Sequence, residues 1–564
     1  MRRSLAFFGL MLAGATSFVL WHFPLLTPAG RVAGLTSDSG VIALMGKKIF
    51  DGRGFDIFFW GQNYVGPFTS ILIAAWGPIL GGVVPLALRL GVFTEVFAGI
   101  VMIAWAVARI DRRAAIVTAI ALLITPPVVL RMMETPLGAE MAFFFSAALL
   151  MVLVQHFTAP PGAGWLSRRR GQIAFGVLTG IAWWMNQQVV FTLIAAAIVF
   201  AMRSKIGAAI LPRVRLRDRL LLRGASLGWR SIPGTIEALA WIMSASGWLI
   251  LFAYVVLDIA GSRMPLLVFG PTTDALILIL TPQILLPLLF GEWRAWGVRP
   301  PNAGVRREIA AALCFAGGFA LGYAPVWLGR IAGWYERTYV FWFSANRSSQ
   351  VVAHVRTLAR EDGPFWLGIA DHPIGVLFAI AACALVIVFA LRARSEARML
   401  LLLIPLANVI FYLLADSVKS HYLISSVGML FAVAAIAATD LWDAWRWPAR
   451  MVLVAIGIAA MLSIGMRAQQ RHRDLLAEPD PLPLLARVRA ADCAVVYCHG
   501  ALTYRYRFLD GEQRAWIQYL SQNRMIRESI ADQRLPGQRC LITADETVLK
   551  IDKDLPLKHR PPGR

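Results

Sequence analysis

Charge is what this chain has least of. Only 16% of its 564 residues are Asp, Glu, Lys or Arg, whereas 58% are hydrophobic, against about 45 to 50% in an ordinary soluble domain. A soluble core cannot hide that excess, so lipid is the expected solvent for most of the chain. Cysteine is scarce as well: there are five, and no two stand as Cys-x-x-Cys, which leaves zinc-finger and thioredoxin-type chemistry without support. Acid is the rarer sign of charge, with 33 Asp and Glu to 55 Lys and Arg, a formal excess of +22. No internal repeat is visible.

In a soluble protein such a basic balance would suggest nucleic acid. Here the basic residues lie between apolar stretches, as cytoplasmic loops of a membrane protein require, and no nucleic-acid partner is expected. A first apolar run covers 5–23 behind Arg2 and Arg3, with no small-x-small cleavage site after it, so it reads as a membrane helix with its N-terminus inside. Further runs of spanning length begin near Leu86, Ala114, Ala139, Ile173, Gln188, Gly234, Pro271, Ile309, Ile374, Met399, Tyr422 and Met451. The sequence therefore predicts an all-α polytopic membrane protein of about 13 transmembrane helices. The segment 172–202 is too long for one helix and carries Asn186-Gln187-Gln188 at its middle, so two short helices meeting at those amides are expected.

Alternate loops are basic: Arg109, Arg112 and Arg113; Arg168 to Arg170; the stretch 203–230; Arg294 to Arg307; Arg392 to Arg398; Arg446 and Arg450. This parity places the membrane domain at 1–466, with outer loops 24–85 and 330–373, and puts the tail 467–564 outside the cell membrane. The tail is polar, with apolar runs at 494–497 and 540–543 that read as strands around a helix over 512–529, hence a small C-terminal extramembrane α/β domain. Cys493 and Cys540 each open a strand and can bridge if the two strands run parallel in an oxidising compartment. Long loops on one face carry function, so the active face is expected to be external.

The first outer loop is the most informative. Thr36 or Ser37 can cap a helix with apolar residues Val41, Leu44, Met45 and Ile49 at helical spacing, and Gly52 ends it. Such a helix is expected to lie amphipathically on the membrane surface, with Asp38 in its first turn. Beyond it, Phe58-Phe-Trp60 suits an interface anchor, but Gln62, Asn63 and Tyr64 are costly in an apolar surround unless they bind something.

The chain here resembles the GT-C superfamily of polytopic membrane glycosyltransferases, in the branch with the protein O-mannosyltransferases and lipid A sugar transferases. The residues that carry the likeness are Asp38-Ser39, the helix to Asp51-Gly52, Gly61-Gln-Asn-Tyr-Val-Gly66, Gly180-Ile-Ala-Trp-Trp184, His421-Tyr422-Leu423 and Tyr504-Arg-Tyr-Arg-Phe-Leu-Asp-Gly-Glu512. Many relatives have Asp-Glu in place of Asp38-Ser39, and several carry a second acid where this chain has Phe68-Thr69-Ser70. The resemblance implies a GT-C-like fold and transfer of a sugar from a polyprenyl-phosphate donor, with Asp38 activating the acceptor.

One carboxylate as base and some cations on the departing phosphate suffice for that chemistry. Arg131, Lys419 and His421 are the expected phosphate-binding groups, and Gln62, Asn63, Tyr64, Glu134 and Glu140 the expected substrate-binding ones. One clear outer-loop carboxylate is too few for a metal cage, so no cofactor is expected, and a divalent ion stays open. A single base implies an inverting hexosyl- or pentosyltransferase of the inner (plasma) membrane, with membrane lipid as its surround. The alternative is a non-catalytic flippase for lipid-linked sugar or a lipid-binding scaffold. It is disfavoured by the near absence of charge at the centre of spans.

Overall fold

The computed structural model describes residues 2–60, 65–136, 138–160, 163–203, 303–331, 348–362, 367–368, 373–393, 395–414, 423–498, 500–518, 535–543 and 546–552. The chain is mostly helical. The first part runs α1 (Arg2–Trp21), α2 (Ser37–Phe50), α3 (Phe68–Leu80), α4 (Pro85–Ala108), α5 (Arg112–Leu123), α6 (Pro127–Glu134), α7 (Ala139–Thr158), α8 (Arg169–Met185) and α9 (Val190–Arg203). After the gap come α10 (Ala303–Gly322), α11 (Ala324–Ile331), α12 (Ser348–Thr357), α13 (Pro373–Arg392), α14 (Glu396–Leu414), α15 (Ile424–Ala444) and α16 (Trp447–Leu476).

Among the described residues five helices are long and apolar enough to cross a membrane: α4, α7, α14, α15 and α16. Helices α5 and α6 make a sixth if their 49° bend is taken as one broken span. The expected spans near Gly234 and Pro271 lie outside the described residues, as do the basic stretch from 204 to 230 and loop residues 332–347.

Three expectations are corrected. First, the segment 24–85 holds more than the one expected helix, because α3 is an apolar helix of 13 residues. At 1.5 Å per residue it is about 20 Å long, shorter than a bilayer core, which is why its hydropathy does not read as a span. Second, α2 does not float with one face in water: every residue from Ser39 to Gly46 is buried, because α3 covers one side and the tail covers another. Third, charge is present inside a span. Arg89 and Glu95 of α4 are both fully buried, which removes one argument made against transport.

The break in the apolar segment 172–202 falls at the amides. Helix α8 ends at Met185, a single 3-10 turn spans Gln187–Val189, and α9 starts at Val190. The Asn186 side chain accepts from the Gln188 amide at 2.9 Å and so caps the second half. Helices α8 and α10 pack face to face through glycine. A Cβ on Gly180 would sit 2.3 Å from the Phe319 carbonyl oxygen, and one on Gly318 would sit 2.1 Å from that of Ile173. Without a hydrophobic drive in lipid, this close backbone approach is what holds the pair.

In the tail, α17 (Leu482–Ala490) and α18 (Gly500–Leu509) flank β1 (Cys493–Cys498), β2 (Ala515–Gln518), β3 (Gln538–Ile542) and β4 (Val548–Ile551). The sheet order is β2-β1-β3-β4, with β1 parallel to β2 and β3, and β3 antiparallel to β4. Cys493 and Cys540 form a disulfide. The helix expected over 512–529 is corrected at its start, where strand β2 occupies 515–518. Ala515 and Ile517 face one buried cluster and Trp516 another, an alternation that a strand needs and a helix cannot use.

Candidate active site

Helix α2 brings Asp38 to its place. Thr36 caps the helix: its hydroxyl accepts from the Ser39 amide, and the Ser39 hydroxyl oxygen accepts from the Thr36 amide, closing a reciprocal capping box. Asp38 sits in this first turn, half-buried, where a carboxylate is favoured by the exposed end of the helix dipole. At the other end, Gly52 with φ 67° stops the helix.

The capping residue also ties the helix to the α6–α7 turn, since the Ser39 hydroxyl donates to the Pro136 carbonyl at 3.2 Å. Two residues before Pro136 stands Glu134, fully buried, whose Oε2 accepts from Arg471 Nε of α16 at 2.8 Å. Its Oε1 has no partner among the described residues. Arg89 of α4 staples the same region. Its guanidinium donates to the carbonyls of Glu134 (2.7 Å), Ala33 (2.5 Å), Gly30 (3.1 Å) and Met133. Arg131, half-buried on α6, belongs to the same short helix.

Glu140 lies beneath the turn. Its Oε1 accepts from the Gly138 amide at 3.0 Å and faces the Thr69 hydroxyl at 3.3 Å, and Thr69 is also 2.8 Å from Glu95 Oε2. Thr69 thus bridges two fully buried acids. Sequence reasoning found Glu140 but missed Glu95, which is hidden in the apolar run of α4. The signal was one acidic residue mid-span, a position rarely occupied without purpose.

The floor is completed by the broken helix. Gly66 donates its amide to the Met185 carbonyl at 2.8 Å, Val65 bridges Asn186 antiparallel, and Asn186 Nδ2 donates to the Gly138 carbonyl at 2.9 Å. Buried Gln187 Oε1 and Gln188 Oε1 find no partner among the described residues. Gln62, Asn63 and Tyr64 lead directly into this contact but lie outside the described residues, and so do Lys419 and His421.

The tail supplies a wall that sequence reasoning did not foresee. Helix α18 lies on α2 so closely that a Cβ on Gly40 would be 2.3 Å from the Tyr504 carbonyl. The Tyr504 amide donates to Ser37 Oγ at 3.4 Å, Arg505 Nη2 to the Val32 carbonyl at 3.4 Å, and the Gly34 amide to Glu478 Oε2 at 2.9 Å. At the far end of α2, Glu512 accepts from Arg53 at 2.7 Å and faces Lys47 at 3.3 Å. Burial raises the Glu512 carboxyl, but the Arg53 hydrogen bond and the Arg53 and Lys47 charges outweigh it, so the group titrates below its ordinary value. Asp51 is likewise held low, chiefly by the hydrogen bond from Lys47.

These elements make a mostly helical fold with a C-terminal sheet domain packed against α2. Among solved structures it is similar to ArnT from Cupriavidus metallidurans in the apo state, with a TM-score of 0.50 at 13% identity over 96% of this chain and 94% of that one. The same protein bound to undecaprenyl phosphate matches with 0.50 at 13% identity over 95% and 93%. The oligosaccharyltransferase of Archaeoglobus fulgidus in the apo form matches with 0.47 at 13% identity, over 90% of this chain and 64% of that one. No family model matches the chain, and no curated protein matches it in sequence.

Proposed function

We propose that this protein transfers a sugar from a polyprenyl-phosphate donor to a lipid, glycan or protein acceptor at the outer face of the inner (plasma) membrane, with its N-terminus inside and its tail outside. The observation that carries this reading is the placement of Asp38: a half-buried carboxylate at a capped helix start, locked through Ser39 to the turn between Glu134 and Glu140. The GT-C fold, and the undecaprenyl phosphate bound by the similar ArnT, support the donor class.

In the proposed step an acceptor hydroxyl oxygen attacks the anomeric carbon. The carbon–oxygen bond to phosphate breaks with its electron pair going to the phosphate, and the hydroxyl proton passes to Asp38. A phosphate leaves without being protonated, so one base suffices, and a single displacement inverts the anomeric centre. Arg131, with Lys419 and His421, offsets the charge that grows on the phosphate. Gln62, Asn63 and Tyr64, the free oxygen of Glu134 and the amides of Gln187 and Gln188 take sugar hydroxyls. Glu140 shapes the site by holding the Gly138 turn. No cofactor is assigned.

Incubating the purified protein in nanodiscs with a panel of labelled polyprenyl-phosphate sugars and membrane extract tests the reading. Release of polyprenyl phosphate with transfer of label is expected. Translocation of intact donor without its cleavage supports the flippase instead.

A further inference from the structure

Outside the proposed chemistry, two histidines from opposite ends of the bundle domain meet in its interior. His22, immediately after α1, is fully buried, and His472 near the end of α16 is 6% exposed. His22 Nδ1 stands 3.3 Å from His472 Nε2, and His22 Nε2 is 2.7 Å from the Thr125 hydroxyl. The rings of Phe18 and Phe93 pack against His22, and Trp21 against His472.

Thr125 is the joint between α5 and α6. It has φ 68°, a left-handed conformation that a β-branched residue rarely adopts unless its surroundings hold it there. Its hydroxyl donates to the Leu123 carbonyl at 3.0 Å, and Trp21 Nε1 donates to the Ile124 carbonyl at 3.1 Å. Two adjacent side chains at the end of α1 therefore grip the turn that bends α6 by 49° from α5. Helix α6 ends at Glu134, whose carboxylate is held by Arg471, the neighbour of His472. Consecutive residues of α16 thus fix both ends of the short helix that carries Arg131 and Glu134.

In the tautomer where the Thr125 hydroxyl gives its one hydrogen to Leu123, His22 Nε2–H donates to Thr125. His22 Nδ1 is then an acceptor and receives His472 Nε2–H. This arrangement tolerates one added proton, on the outer nitrogen of His472. A second proton, on His22, would set two N–H groups and two positive charges face to face across 3.3 Å. No carboxylate among the described residues contacts either ring to offset them. From α16, Arg471 is ion-paired with Glu134, and Asp474 accepts from Gln470. From α4, Arg89 is occupied by carbonyls and Glu95 by Thr69. Phe93 is what α4 presents to the ring.

We infer that His22 and His472 are positioning residues: as a pair with at most one proton they hold the Thr125 turn, and so set where α6 presents Arg131 and Glu134. The consequence for catalysis rests on the function proposed above; the coupling of the pair to α6 does not.

The experiment uses the full chain in nanodiscs. Hydrogen exchange across 125–134 at pH 7.5 is expected to be roughly 10-fold faster in His472→Phe than in wild type. In His472→Gln, whose amide N–H can still donate to His22 but does not titrate, it is expected to match wild type. In the transfer assay, KM for the donor should be roughly 10-fold higher in His472→Phe than in wild type, as misplaced binding groups cause, with kcat little changed and His472→Gln close to wild type. Equal exchange in all three proteins overturns the inference. Transfer that is absent in every protein, with exchange behaving as expected, refutes the functional reading alone.

Discussion

Ser39 gives its hydroxyl to the carbonyl of Pro136, 3.2 Å away and 97 residues later in the chain. This one bond joins the helix start that bears Asp38 to the turn bounded by Glu134 and Glu140. The acid proposed as base is therefore fixed by the neighbours with which it would have to share a substrate.

The tail is part of the same assembly. Gly40→Val adds atoms where only about 2.3 Å separates a Cβ from the Tyr504 backbone, and neither partner is a flexible side-chain end. The substitution is expected to lift α18 off α2, raising proteolytic cleavage between the bundle and the tail and abolishing transfer, while α4, α7 and α15 stay folded by circular dichroism.

The ion pairs at the other end of α2 make a milder, pH-dependent contribution. The folded-state carboxyls of Glu512 and Asp51 lie below their ordinary values. Their stabilisation is thus fully present above the ordinary carboxylate range, near pH 4, and is lost as pH falls through the lower folded values. Because Arg53 and Lys47 are partly exposed, each pair is worth no more than about 1 kcal/mol. Thermal unfolding should be flat from pH 8 to 5 for this term and fall below pH 4, with Glu512→Gln lower at neutral pH and less sensitive to acid.

Thr69 stands between Glu95 and Glu140 with all three side chains fully buried. Thr69→Val keeps the shape and removes the bridging hydroxyl, leaving two buried acids without it. A loss of about 1 to 3 kcal/mol is expected for such an orphaned group. Glu95→Gln, which can donate to the threonine, should cost less, and a denaturation series in detergent ranks the two.

The glycine contact between α8 and α10 admits no side chain. Gly318→Val, placed about 2.1 Å from the Ile173 carbonyl, should separate the helices and lower thermal stability more than Gly317→Val, whose Cβ would meet nothing within 4 Å.

Much of this was legible in the sequence where a local rule decides it. The Thr36 cap and the Gly52 stop of α2 follow from residue chemistry within a few positions, and so does the break at Asn186. The strands near 494–497 and 540–543 follow from apolar runs in a polar tail. What escaped depends on distant partners. Nothing local marks Gly40 as the seat of Tyr504, or Glu95 as the neighbour of Thr69 26 residues earlier. Helix α3 was hidden by its length, and β2 was read as helix because its alternation covers only four residues. Asp38 was found by its motif, whereas the burial of the helix behind it was not, since the covering helix comes from the tail.

The central claim is that Asp38 removes the proton of the incoming hydroxyl. The most direct measurement compares wild type with Asp38→Asn in nanodiscs, following release of polyprenyl phosphate from a labelled donor that the wild type uses, with thermal unfolding as the control for folding. The predicted result is a fall of at least about 100-fold in kcat, with donor affinity and unfolding temperature close to wild type. Release at the wild-type rate by a folded Asp38→Asn protein would contradict the claim.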